Sequence, residues 1–245
     1  MARDWEKHGS PSKVDLRRIT PNLAPRVRHN GSQLRRTLRA PAPAIKNIVL
    51  LGEIGPVTTL ERFLRAEKTG QNVICAENLK ELSAIRSRHL NAARLVAFAT
   101  PVIVPPDILE ELRFGAYNFH PGPPSYPGVA PQVFAVYEQA AVFGSTVHLM
   151  AEKVDAGPIV EVELFPVRAG ITGKELAFQN AAVMFRLFFR LACWLTSHPD
   201  PLPTRPIQWT GRKRTRADLA LLCNISDDLD PDDLARRKAA LGFEG

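Results

Sequence analysis

Four short apolar runs, each followed by a turn or a helix-forming stretch, restrict this chain to one fold class. Asn47 to Leu51 reads N-I-V-L-L, Asn72 to Ala76 N-V-I-C-A, Arg94 to Ala99 R-L-V-A-F-A and Gly115 to Phe119 G-A-Y-N-F. The first of them is apolar at successive positions rather than at alternate ones, as expected of a parallel strand buried on both faces. Between the runs lie helix-forming segments. One is capped by Thr58 or Thr59, runs to about Lys68 and is stopped by Gly70. Another spans Leu79 to about Arg88 with Leu82 and Ile85 inward, and a short one spans Asp107 to Leu112. This order predicts an α/β protein: a Rossmann-like, mostly parallel sheet with right-handed crossovers and helices on both faces.

The second half continues with a helix from Val129 to about Gln139, with Pro131 in its first turn. Strands follow at Ser145 to Met150 and Val160 to Leu164. Thr172 and Glu175 form a capping box that opens a long apolar helix to about Leu195. Arg186 and Arg190 lie four apart on it, with Gln179 and Asn180 nearby, so it reads as a buried packing helix and not as a membrane span. Residues 198–206 are proline-rich. The G-R-K-R-T-R that follows Thr210 reads as a solvated turn. Ala217 to Cys223 and Leu234 to Leu241 read as short helices, the second capped by Asp230 and Pro231.

Composition divides the chain. Residues 1–44 carry ten Lys/Arg against three Asp/Glu, and the rest carries 22 of each sign, so the whole net charge of +7 sits in the first 44 residues. That segment, rich in Arg, Pro, Ser and Asn, reads as a basic disordered tail. Residues 45–200 read as the catalytic domain and 201–245 as a short C-terminal extension. A neutral body argues against a nucleic-acid partner. Cys75, Cys193 and Cys223 are too scattered for a zinc knuckle or a disulfide framework, which points to a reducing cytoplasm. The apolar C-terminal half is compatible with a homodimer.

The chemistry concentrates in Tyr117 to Ile159. Asn118 and His120 are two apart at the end of an extended run, so both project to one side. A stiff loop, P-G-P-P-S-Y-P-G, follows them, and Asp155 stands 35 residues later in V-D-A-G-P-I. Polar residues at a strand end before an irregular loop are how open α/β sheets meet a ligand. An amide and an imidazole there can donate to an oxyanion, and a neighbouring carboxylate can organise proton transfer. His148 reads equally well as a packed histidine and as a support for that group. His120, His148 and Asp155 do not pair at helical spacing, which argues against a metal site.

The stretch resembles the formyltransferases that use 10-formyltetrahydrofolate. Their pattern is N-x-H-P-S-L-L-P-x-x-x-G, then G-x-T-x-H, then D-x-G-x-I. It is matched here by Asn118, His120, Pro121, Pro124, Gly128, Gly144, Thr146, His148, Asp155, Gly157 and Ile159. Gly122-Pro123 departs from the usual Ser-Leu. The resemblance covers roughly residues 46–195. It implies the formyltransferase fold, 10-formyltetrahydrofolate as formyl donor, and Asn118, His120 and Asp155 as the catalytic group. It implies donor contacts from Phe98, Thr100, Val102 and Ile103, largely through backbone groups. It implies acceptor contacts from Gly52, Gly55, Thr58, Pro124 and Tyr126. The acceptor it suggests is a small-molecule amine, such as a nucleotide-linked amino sugar. Other readings are a 10-formyltetrahydrofolate hydrolase, a non-catalytic folate-binding protein, and a methionyl-tRNA formyltransferase-like protein without that family's C-terminal barrel.

Overall fold

The structure is a computed structural model that describes residues 44–226 and 228–242. The basic segment expected to be a tail lies, but for its last residue, outside the described residues.

Six strands form one sheet in the order β2-β1-β3-β4-β5-β6. Strands β1 (Asn47–Leu51), β2 (Asn72–Ala76), β3 (Ala93–Phe98) and β4 (Ala116–His120) are parallel. Strands β5 (Val142–Leu149) and β6 (Ile159–Pro166) are joined antiparallel to that block through β4. The chain leaves β1 toward β2 and returns on its other side as β3, the kind of reversal that opens a crevice at the strand ends.

Helices cover both faces. On one side α1 (Ile54–Ala66) and α6 (Gly173–Ser197) place Leu60, Leu64, Val183, Leu187 and Phe188 against Ile48, Leu50, Val96, Tyr117 and Phe119. On the other, α2 (Leu79–Ser83), α3 (Ser87–Leu90) and α4 (Pro106–Glu111) place Leu82, Leu90 and Ile108 against Val49, Leu51, Leu95 and Ala116. The helix expected over residues 79–88 is thus broken in two. Arg86 takes an extended conformation (φ −65°, ψ 139°), and Leu82 and Leu90 stay buried from separate short helices. Helix α1 begins before Thr58, at Ile54. Thr59 bonds back to the Gly55 carbonyl and caps nothing.

Helix α6 opens on the expected Thr172/Glu175 capping box. It is long and apolar enough to cross a membrane by length and composition. Its inward face is the core just described, and on its outer side Arg186 and Arg190 both pair with Glu163 of β6. It is the packing helix of the sheet. Its C-terminal end is held by Arg94, which is fully buried in β3. The guanidinium donates to the carbonyls of Phe114, Trp194, Leu195, Pro199 and Asp200. It thereby satisfies carbonyls that a helix end leaves without intrahelical partners.

The C-terminal residues pack onto the same body. Helix α5 (Pro131–Tyr137) supplies Phe134, which meets Leu222 of α7 (Arg216–Cys223) and Ala240 of α8 (Pro231–Leu241). Residues 198–215 cross between α6 and α7 as an irregular strap, and this strap reaches the polar cluster at the end of β4.

Candidate active site

Period-two geometry does the first part of the assembly. Tyr117 and Phe119 point into the core, while Asn118 and His120 share the opposite face of β4. Antiparallel pairing with β5 then sets His148 opposite Asn118 and Thr146 opposite His120. Thr146 donates to the Gly122 carbonyl, anchoring the loop after β4. Asp155 arrives from the β5–β6 connection in a left-handed conformation (φ 48°), which Asp tolerates better than most residues. Gly157 follows it because a side chain there would overlap the Leu149 carbonyl, with a Cβ at 1.9 Å.

These four side chains form one cluster. The Asn118 amide donates to Nε2 of His148 (3.2 Å) and to Oδ1 of Asp155 (3.4 Å). Oδ2 of Asp155 accepts from the Gly128 backbone N–H (2.8 Å) and faces Nδ1 of His120 at 3.6 Å. Oδ1 also faces Nε2 of His148 at 3.4 Å. The neighbours assign the tautomers. Nδ1 of His148 meets the Leu149 carbonyl at 2.8 Å and must donate to it, so the neutral ring leaves Nε2 to accept from Asn118. Nε2 of His120 meets the Tyr126 carbonyl at 2.9 Å and must donate there. Nδ1 of His120 is left as the position where a proton can be held against the Asp155 carboxylate.

Gly122 follows from this contact. A Cβ at that position would sit 2.8 Å from Nε2 of His120 and 2.9 Å from the Tyr126 carbonyl. The departure from the Ser-Leu pattern lets this loop close onto the histidine.

The charges of the cluster follow from burial set against partners. Burial by itself would raise the Asp155 carboxyl. The attraction of the neighbouring His148 and His120 rings and the Gly128 N–H outweigh burial and hold it down to about 2. Burial pulls His120 below its ordinary value, against the opposing pull of Asp155 and the Tyr126 carbonyl. The carboxylate is therefore ionised at neutral pH, and the His120 ring is poised to receive a proton only when something compensates it.

Below pH 6.5, the ordinary histidine value, the unfolded chain takes up a proton that native His120 resists. Stability should therefore fall as the pH drops from 6.5 toward the depressed value of the native ring. Asp155 acts lower, its contribution being present above 3.8 and lost as pH falls to about 2. Urea denaturation between pH 8 and pH 5 checks this, with His120→Gln expected to flatten the slope.

The cluster lies at the wall of a cavity of about 640 Å³, within the usual range for small-molecule sites. Val102, Ile103, Val104, Leu109 and Met150 make one side apolar, and Thr100 lies with them. Of the donor-contact candidates, Thr100, Val102 and Ile103 line the cavity. Phe98 does not. Alternation along β3 turns its ring into the core, 5.1 Å from Phe185 and 5.7 Å from Phe119. Of the acceptor-contact candidates, Gly52 lies in the β1–α1 turn and Gly55 and Thr58 in the first turns of α1, all three outside the cavity lining. Gly52 is there for packing, since a Cβ would stand 2.7 Å from the Phe98 carbonyl. Pro124 and Tyr126 act through backbone carbonyls, Pro124 accepting from Thr210 and Gly211 and Tyr126 from His120.

The segment expected as a solvated turn is a wall of this site. Lys213, Arg214, Thr215 and Arg216 line the cavity. Arg214 bridges to Gly128 and is ion-paired to Glu138, and Lys213 donates to the Val154 carbonyl. Trp209 packs edge-to-face on both His120 (5.7 Å) and His148 (5.1 Å). Nothing in the spacing of these residues announces them; only the aromatic and basic composition of the strap was visible.

Residues 67–184 match the model of the formyl transferase family. The methionyl-tRNA formyltransferase of Alcanivorax borkumensis is 34% identical over 124 residues, which are 50% of this chain and 38% of that protein. The chain thus spans well under half the length of this curated relative. Among solved structures, a sugar N-formyltransferase from a Shewanella species superposes with a TM-score of 0.65 at 19% identity, covering 80% of this chain and 88% of that one. The formyltransferase PseJ from Anoxybacillus kamchatkensis, in complex with UDP-4,6-dideoxy-4-formamido-L-AltNAc and tetrahydrofolate, superposes with a TM-score of 0.58 at 21% identity, covering 77% and 97%. These likenesses share the fold.

Proposed function

We propose that the chain, whose residues 67–184 match the model of the formyl transferase family, transfers a formyl group from 10-formyltetrahydrofolate to the amine of a small, anionic acceptor, a nucleotide-linked amino sugar being the best fit. The observation that carries the reading is the Asn118–His120–His148–Asp155 cluster at the wall of a cavity large enough for a folate head group.

The attacking amine forms a C–N bond to the formyl carbon, and the carbonyl oxygen becomes an oxyanion. Asn118 can turn to it one of the amide N–H bonds it gives to His148 and Asp155, and His120 adds a positive charge beside it once it has taken the amine's proton. In comparable sites such donors each lower the barrier by about 3–4 kcal/mol. Asp155, ionised and fixed by the Gly128 N–H, stabilises the proton that the amine gives up. That proton can rest at Nδ1 of His120 before it reaches the departing folate nitrogen. No covalent enzyme intermediate is required. Apolar Val102, Val104 and Met150, and the backbone of the 99–104 loop, would hold the pterin ring. PseJ was solved in complex with tetrahydrofolate, which supports a folate as the donor.

The cavity mouth favours an anionic acceptor over a neutral amine. Lys153, Lys213 and Arg216 line it, none in an ion pair among the described residues, against the single unburied acid Glu152. The sugar nucleotide carried by PseJ has that charge.

The test is absorbance-monitored conversion of 10-formyltetrahydrofolate to tetrahydrofolate with a panel of nucleotide-linked amino sugars and uncharged amines. Turnover that requires an anionic amino sugar supports the proposal. Turnover without any amine identifies a hydrolase, and folate binding without turnover across the panel overturns the transferase reading.

A further inference from the structure

The strap between α6 and α7 holds both loops that carry the polar cluster. Toward the loop after β4, the N–H groups of Thr210 and Gly211 donate to the Pro124 carbonyl, that of Arg214 to Pro127, and that of Val129 returns a bond to Arg214. Toward the Asp155 segment, the Arg205 N–H donates to Ile159 (2.7 Å), Nε1 of Trp209 to Gly157 (3.0 Å) and Nζ of Lys213 to Val154 (3.0 Å). The fit leaves no slack. A Cβ on Gly211 would overlap the Ser125 carbonyl, and one on Gly128 would overlap that of Arg214.

At the centre of the strap is Trp209. Its indole stands at 73° to the His120 ring and at 87° to the His148 ring. The hydrogen bond to Gly157 fixes the indole two residues from Asp155. One aromatic plate therefore backs both imidazoles, and the two histidines are only 3% and 2% exposed. Edge-to-face contacts of this kind favour one orientation over free rotation, and an excluded water strengthens every electrostatic contact behind the plate.

We propose that Trp209 is a positioning residue: it sets the orientation of His120 and His148 toward Asp155 and seals their rear side from water. The inference rests on the formyl-transfer reading for its catalytic consequence, but not for its structural content. The ionisable groups facing His120 are Asp155 and His148. Opening the plate relieves the burial of His120 and leaves the attraction of Asp155 in place.

The experiment compares wild type, Trp209→Phe and Trp209→Ala by NMR titration of the ring Cε1–H signals, assigned with His120→Gln and His148→Gln. The kcat and KM for the folate donor are measured alongside. For Trp209→Ala the His120 midpoint should move upward and kcat should drop on the order of 100-fold, as misplaced catalytic groups do. The donor KM should hold within about three-fold, as expected when the lost interaction belongs to the transition state. Trp209→Phe keeps a ring against the histidines and should lie between, so it carries the test if the alanine variant does not fold. Histidine midpoints and kcat equal to wild type in folded variants would overturn the proposal. If the wild-type protein turns over no acceptor, the transferase reading has failed, and the titrations alone still decide whether Trp209 positions the pair.

Discussion

Asp155→Asn should reduce formyl transfer by about 10³-fold while leaving the fold intact, the scale expected for a group that handles the transferred proton. The side chain is nearly isosteric, and its amide can keep one contact to the Gly128 N–H through its oxygen. What it loses is charge. Asp155 is held ionised by His148, His120 and Gly128 acting together against burial. A neutral amide cannot favour a proton on Nδ1 of His120, which stands 3.6 Å away. If its N–H took the place of Oδ1, it would also meet the Asn118 amide, which donates to that oxygen. Steady-state turnover with the best acceptor, at matched circular dichroism, measures the effect. A loss under ten-fold would remove Asp155 from the proton path. A loss of folded protein would reassign it to structure.

Arg94→Ala should cost stability, about 3–5 kcal/mol, the range for breaking a buried charged interaction. One guanidinium serves five backbone carbonyls, and its fork geometry is what reaches the Phe114 turn, the end of α6 and the Pro199–Asp200 segment together. It also lies over the Tyr117 ring, 5.4 Å from its centroid. Its removal strands the Phe114 and Leu195 carbonyls, whose bonds to it are buried, and each stranded group costs about 1–3 kcal/mol less whatever relaxation recovers. Arg94→Lys should recover only part, since an ammonium has three donors in a different arrangement. Urea denaturation curves of the two variants against wild type give the numbers. A change under 1 kcal/mol for the alanine variant would mean that the α6 terminus finds other partners. Arg94 is not among the residues that line the cavity, so donor binding by the folded fraction should be unaffected.

The parts of this protein that were readable from sequence are those governed by local periodicity. The order of strands β1 to β4 was legible because each is a short apolar run bounded by turn residues. The shared face of Asn118 and His120 was legible because a strand alternates with period two. Helix α6 announced its start through Thr172 and Glu175, which do form the capping box.

What was not legible depends on distance along the chain. His148 meets Asn118 because β5 runs antiparallel beside β4 in one particular register, and no pattern within either strand specifies that pairing. Phe98 was placed at the donor by the family resemblance; the same alternation that serves Asn118 turns its side chain into the core. Thr58 was placed at a helix start, but the backbone turns into α1 four residues earlier, at Ile54. Trp209 and the Lys213–Arg216 wall were missed because the strap has no regular structure. Its position is set by hydrogen bonds to Pro124, Pro127, Gly157 and Ile159, each more than 45 residues away.

In the proposed reaction a formyl carbon leaves folate and ends on an acceptor nitrogen at this cluster. Supplying 10-formyltetrahydrofolate labelled with carbon-13 in the formyl group, together with the active amino sugar, follows that carbon directly by NMR. The label should appear in a formamide on the sugar, in step with tetrahydrofolate, and about 10³-fold more slowly with Asp155→Asn. Label recovered as free formate, at the same rate with and without the sugar, would contradict it.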